Sequence, residues 1–261
     1  MAPMRVHPKY FVPNGFTALS MLFGLASVAT SAAAYVDHVA GRPSSDQFVL
    51  AAWMVCWGVL LDKLDGTSAR LMKATSAFGV QFDSFADFVA FGIAPGALVY
   101  YRVSATHLPY NKVLLLIGVG FFVVATATRL ARFNVSDPPG GDKMFYGIPT
   151  TLCGAIIAAT FLVWSKYELP EAWLKAYPGL LVVAGFAMVS NVKLPKLKPR
   201  KNKLFNAFQA ANIGAAYILT ALMMVPEYLG GLVLLYLVVG VGYFLLFPPT
   251  IDEETQADPS G

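Results

Sequence analysis

The stretch LDKLDGTSARLMKATSAFGVQFDSFADF, residues 61–88, carries aspartates at 62, 65, 83 and 87 between two strongly apolar parts of the chain. Outward from it, apolar runs repeat across nearly the whole sequence. The 261 residues are 57% hydrophobic and only 13% charged, with a mean hydropathy of +0.60, far from the balance of soluble domains. Crossing a hydrocarbon core of about 30 Å takes about 20 apolar residues in a helix. The chain offers several such runs, and the reading is an all-α, polytopic membrane helical bundle.

About eight transmembrane helices are expected, near residues 16–35, 48–61, 78–101, 113–128, 148–164, 178–190, 208–225 and 228–247. The second apolar run is short, so its helix is expected to continue into DKLDGTSAR; the sixth is also short, which leaves an interfacial helix open. Basic residues give an independent check. With the N-terminus inside, fourteen of the 19 Lys and Arg fall on cytoplasmic segments, and only Arg42, Arg102, Lys112, Lys166 and Lys175 on the other side. Both termini and the aspartate stretch are thus expected on the cytoplasmic side.

The expected organisation is one membrane domain, residues 1–247, with a disordered acidic tail, PPTIDEETQADPSG, at residues 248–261. The opening MAPMRVHPKYFVPNG does not read as a signal peptide, so the first span is expected to stay. Cys56 and Cys153 fall inside spans and read as free buried thiols. His7, His38 and His107 are isolated, without metal-ligand spacing. The loop KLPKLKPRKNK is strongly basic and suits anionic membrane lipids; next to a membrane span it does not point to nucleic acid. Gly92 and Gly96 have small-residue spacing that favours helix packing and allows a homodimer.

Asp62 and Asp65 are three residues apart, and Asp83 and Asp87 four, so each pair shares one helix face. A short turn at 75–78 would bring the two pairs together. Four carboxylates at a membrane edge repel one another and lose hydration, so they call for protons or cations. An all-oxygen set without Cys or His selects a hard ion, Mg2+ or Mn2+, and Mg2+ commonly acts beside phosphates. Gly66, Ala69 and Gly79 leave room for a ligand against the backbone, and Arg70 offers a planar donor to phosphate. Helix capping or pairing with Lys63, Arg70 and Lys73 would also account for Asp62 and Asp65. It accounts less well for Asp83 and Asp87, which lie in an apolar segment. An ion or proton pathway, as in a cation transporter, would use intramembrane carboxylates too, but has no need of the glycine, alanine and arginine positions.

Written as Asp62-x2-Asp65-Gly66-x2-Ala69-Arg70-x8-Gly79-x3-Asp83-x3-Asp87, the stretch resembles the signature of the CDP-alcohol phosphotransferase family at every fixed position. FVPNGFTALSMLFG, DSFADFVAFGIAPG, RLARFNV, YGIPTT and MVSNVKLPKLK are similar to its integral-membrane phosphatidylserine synthase branch, although Thr151 stands where that branch commonly has a second proline. The resemblance implies transfer of a phosphatidyl group from CDP-diacylglycerol to L-serine, giving phosphatidylserine and CMP, with two divalent metals, Mg2+ or Mn2+. By position, Asp62, Asp65, Asp83 and Asp87 would be metal ligands, and Asp87 also the catalytic general base. Asn14, Thr17, Asp62, Gly66, Ala69, Arg70 and Gly79 would contact the CDP donor; Arg129, Arg132 and Asn134 would contact the acceptor. Other acceptors, such as glycerol phosphate, inositol phosphate or choline, would fit the same chemistry.

Overall fold

The computed structural model describes residues 10–74, 76–135, 144–195 and 203–246. Thr75, the basic residues Lys196, Lys198, Arg200 and Lys201, and the expected tail at 248–261 lie outside the described residues. The chain order is α1 (Phe11–Val39), α2 (Ser45–Leu71), α3 (Ala77–Asp87), a π-helical segment (Phe88–Ile93), α4 (Ala94–Ser104) and α5 (Lys112–Val135). Next come β1 (Met144–Tyr146), α6 (Thr150–Lys166), a 3-10 segment (Glu171–Ala176), α7 (Tyr177–Val189), β2 (Lys193–Pro195), α8 (Lys203–Ala221) and α9 (Pro226–Leu246). The fold is all-α apart from one small antiparallel pair, in which Phe145 faces Leu194.

Among the described residues, six helices are long and apolar enough to cross a membrane: Phe11–Val39, Ser45–Leu71, Ala77–Ser104, Lys112–Val135, Glu171–Val189 and Pro226–Tyr243. The expected eight differ from this in two places. The fifth is α6, apolar but only 17 residues long. The seventh falls on α8, where Asn206, Gln209 and Asn212 dilute the apolar character of the first three turns. The second span does run on through Asp62 and Asp65 as expected, because α2 is one helix from Ser45 to Leu71.

Residue types are distributed as lipid dictates. Large apolar side chains such as Leu22, Leu25, Leu116, Ile117, Val124, Val183 and Phe186 are exposed, while Ser20, Ser27, Ser31 and Thr126 are buried. Lipid tails are as apolar as leucine, so helices associate through close packing and interhelical hydrogen bonds instead. The α1–α2 interface has both: Ser20 Oγ donates to the Gly58 carbonyl at 3.2 Å and Ser27 Oγ to the Ala51 carbonyl at 2.8 Å. Gly24 of α1 lies so close to the π-helical segment that a Cβ there would come within 2.7 Å of the Ala90 Cα. Phe48, Phe91 and Phe122 fill the centre of the bundle.

The turn into α6 is fixed by Gly147. Its φ is +74°, its N–H donates to the Val192 carbonyl at 2.8 Å, and an added Cβ would overlap the Met188 carbonyl oxygen. A left-handed alanine and an overpacked contact together cost about 2–4 kcal/mol. Gly147→Ala is therefore expected to lower the melting temperature of the detergent-solubilised protein; an unchanged melting curve would contradict this packing.

Candidate active site

Two helix ends build the site. α2 closes with Lys73 in the left-handed region at φ 47°, its N–H on the Arg70 carbonyl at 3.3 Å and the Ala74 N–H on the Ala69 carbonyl at 2.8 Å. That paired pattern stops the helix sharply. α3 then starts at once: Ser76 Oγ accepts from the Gly79 N–H at 2.9 Å, capping it. The chain reverses within a few residues, and the aspartates of α2 come beside those of α3.

Carboxylate oxygens of Asp62, Asp83 and Asp87 all lie within 4.8 Å of one another. Asp65 is buried, 6% exposed, faces Asp62 and Asp83, and accepts from Thr17 Oγ1 at 2.8 Å. At an effective dielectric of about 20, each like-charge pair at this separation costs about 3 kcal/mol. The neighbouring cations offset only part of that. Lys63 Nζ lies 3.2 Å from Asp62 Oδ2, and Lys63 and Arg129 both act electrostatically on Asp87. Four acids against two bases leave the cluster short of positive charge.

A divalent cation fits this deficit. Oxygen ligands of one ion stand at most about twice the metal–oxygen distance apart, about 4–5 Å, and the Asp62, Asp83 and Asp87 oxygens all lie within 4.8 Å of one another. The donor set is all oxygen, which suits hard Mg2+ or Mn2+.

Around the acids, the structure brings several of the sequence-derived residues together. Thr17 touches Asp65 directly, and Asn14 Oδ1 would lie 3.6 Å from a Cβ on Gly79. Arg70 is exposed and folds back along Gly66, with Nη2 donating to Thr67 Oγ1 at 3.4 Å. Gly66 has only this guanidinium near it, so its face is open to a ligand. Asn134 donates to Ser84 Oγ at 2.9 Å, holding the end of α5 against α3.

The two arginines of α5 part company. Arg129 is buried, 7% exposed, and its Nε has no hydrogen-bond partner among the described residues; it interacts electrostatically with Asp87. Arg132 instead donates to the carbonyls of Val189 at 3.1 Å, Ser190 at 3.1 Å and Tyr146 at 3.3 Å. Its guanidinium is spent on tying α5 to the segments that flank β1 and β2.

Thr150, at the start of α6, has no role that sequence pattern alone assigns, yet its Oγ1 donates to Asp87 Oδ2 at 3.4 Å. It stands inside YGIPTT, so the signal is present in the chain without a partner to attach it to. His38 and His107, isolated in sequence, have ring centroids 5.1 Å apart at the opposite end of the bundle from the aspartates. Cys56 and Cys153 are free and buried.

The sequence profile of the family described as CDP-alcohol phosphatidyltransferase matches residues 10–194, which include all four aspartates. The chain belongs to that family. It is an integral membrane member of it. The chain is 37% identical over 199 residues to a protein of Helicobacter pylori strain J99 named CDP-diacylglycerol--serine O-phosphatidyltransferase, covering 76% of this chain and 77% of that one. A Methanocaldococcus jannaschii protein of the same name is 30% identical, covering 72% of this chain and 81% of its own. A protein of Methanothermobacter thermautotrophicus named archaetidylserine synthase is 29% identical, covering 56% of this chain and 58% of that one.

Proposed function

We propose that the protein transfers the phosphatidyl group of CDP-diacylglycerol to L-serine, releasing CMP and forming phosphatidylserine at the cytoplasmic face of a membrane. The observation that carries the reading is the convergence of Asp62, Asp83 and Asp87 within 4.8 Å beside a buried arginine with an unpartnered Nε. The names of the relatives support serine as acceptor. The excess of Lys and Arg on the segments that share the aspartates' side supports the orientation.

Asp87 is the general base of this reading. Its carboxylate takes the proton from the serine hydroxyl as that oxygen forms its bond to the phosphorus of the donor, and the bond from phosphorus to the CMP oxygen breaks. Thr150 Oγ1 orients Asp87 by donating to Oδ2. Arg129 takes the serine carboxylate, which a guanidinium grips with two parallel hydrogen bonds. Thr17 fixes Asp65, and Asn14, Gly66, Ala69, Arg70 and Gly79 form the wall open to the nucleotide and its phosphates. Divalent cations held by Asp62, Asp65, Asp83 and Asp87 would, when bound, supply positive charge to the pyrophosphate and the departing CMP. The donor's acyl chains stay in the bilayer, which accounts for a polar site set inside apolar helices.

The test is an acceptor screen with the purified protein, CDP-diacylglycerol in mixed micelles, and Mg2+ or Mn2+. Serine is expected to drive CMP release with a phosphatidylserine product, whereas glycerol phosphate, inositol phosphate and choline are not. A lipid product from one of those alcohols and none from serine would overturn the acceptor assignment and leave the family membership standing.

A further inference from the structure

At the end of the bundle opposite the aspartates, a cavity of about 120 Å³ between α1, α4 and α5 is lined by Tyr35, Tyr100, Ser104, Tyr110 and Lys112. Its depth follows from helix length. Thr17, which touches Asp65, and Tyr35 are 18 residues apart on α1, about 27 Å of helix. Ser104 follows Asp87 by 17 residues, about 25 Å. Both lengths are close to a hydrocarbon thickness of about 30 Å. A cluster at one membrane interface therefore sets this cavity at the other.

The rings are held by packing. Tyr35, Tyr100 and Tyr110 press on the apolar core, and Tyr101 joins two of them, its ring centroid 5.8 Å from Tyr35 and 5.3 Å from Tyr100. The three phenols, Ser104 Oγ and Lys112 Nζ hydrogen-bond to no described residue and are not sealed inside the protein. They stand open to a ligand. The backbone at this corner is satisfied already, since Asn111 Oδ1 accepts from the Val113 and Leu114 N–H groups at 3.0 and 3.1 Å. Charge here has one sign. Arg42, Arg102 and Lys166 each pair with a carboxylate, whereas Lys112 has no ion pair among the described residues, and no acid lines the cavity. Hydroxyl donors around an ammonium suit phosphate oxygens. The volume equals that of about four water molecules, room for a phosphate group but not for a whole headgroup.

We infer that this cavity holds the phosphate of an anionic phospholipid from the leaflet opposite the aspartate cluster. A free phosphate ion would meet the same donors, but the surface below the cavity is shaped for a chain. Leu116 lines the cavity and is exposed. Gly120, one turn on, would have nothing within 4 Å of an added Cβ, and Val124, a turn further, is exposed again. Positions four and eight residues apart share one helix face, so an acyl chain has an apolar track from the phosphate into the bilayer. The absence of an acid from the lining disfavours a zwitterionic headgroup, whose amine would meet only Lys112. The site stands whichever alcohol the enzyme uses as acceptor.

The experiment titrates the full-length protein in detergent with phosphatidylglycerol and reads an apparent Kd from the rise in melting temperature. Losing a hydrogen bond to a charged group is expected to raise that Kd about tenfold in Lys112→Gln. Tyr110→Phe should raise it in the same direction, and Lys112→Arg should keep the parental value. Without lipid, all three variants are expected to melt as the parent does. Equal affinity in the parent, Lys112→Gln and Tyr110→Phe would overturn the inference and place the bound lipid elsewhere. Diacylglycerol, which lacks the phosphate, should stabilise the protein less. Equal stabilisation by it would leave only apolar contact, and equal stabilisation by inorganic phosphate would make this a site for a free anion; either result overturns the lipid assignment.

Discussion

Asp87→Asn is expected to lower serine-dependent CMP release by about 10²–10⁴-fold, the contribution of a positioned general base. The substitution conserves size and leaves an oxygen for the Thr150 hydroxyl, which donates to Asp87 at 3.4 Å. It removes the proton acceptor, together with one negative charge from a cluster in which Asp62, Asp83 and Asp87 stand within 4.8 Å. The effect should therefore appear in kcat, with KM for CDP-diacylglycerol changed far less, because the proposed donor wall is made by other residues of α1, α2 and α3. Transfer at a near-parental rate would remove Asp87 from the proton step. A change in donor KM alone would make it a binding residue only.

Withdrawing divalent cations is expected to abolish the reaction, and adding back Mg2+ or Mn2+ to restore it. The physical reason is the unbalanced charge: four carboxylates face two bases, Lys63 and Arg129, and the pyrophosphate of the donor would add more negative charge. Without cations, the electrostatic cost of assembling substrate and site exceeds what hydrogen bonds return. Asp83→Ala should weaken cation binding at least about tenfold, since losing even a group that only supports a metal ligand costs about 10–100-fold, read as a rightward shift in the Mn2+ dependence of CMP release and directly by Mn2+ titration without substrate. Full activity in the presence of excess chelator would overturn the cation's role.

The aspartates are legible in sequence because charge is rare in this chain and its spacing is set by helix geometry. A three-residue and a four-residue interval each define one face whatever the tertiary structure. The reversal between α2 and α3 is legible for a similar reason, since Ser76 is a good cap and lies three residues before Gly79. Arg132 and Arg129 cannot be told apart in sequence. Both are basic residues at a span end, and only the packing of β1 and β2 consumes one guanidinium on backbone carbonyls while leaving the other buried with an Nε free. The span count differs at α6 and α8, where apolar composition is present but length or continuity is not.

The π-helical segment Phe88–Ile93 begins directly after Asp87. An α-helix returns to nearly the same face after seven residues, so a regular helix would carry Asp87, Ala94 and Leu98 along one line. A π turn accommodates one extra residue and rotates the next turns of the helix by about 100°. The 28-residue helix Ala77–Ser104 thus behaves as two cylinders out of phase, joined where Gly24 presses on Ala90. One cylinder carries Asp83 and Asp87 of the cluster, and the other buries Ala94 and Leu98 completely. The one extra residue of the π turn is enough to turn these two faces away from each other.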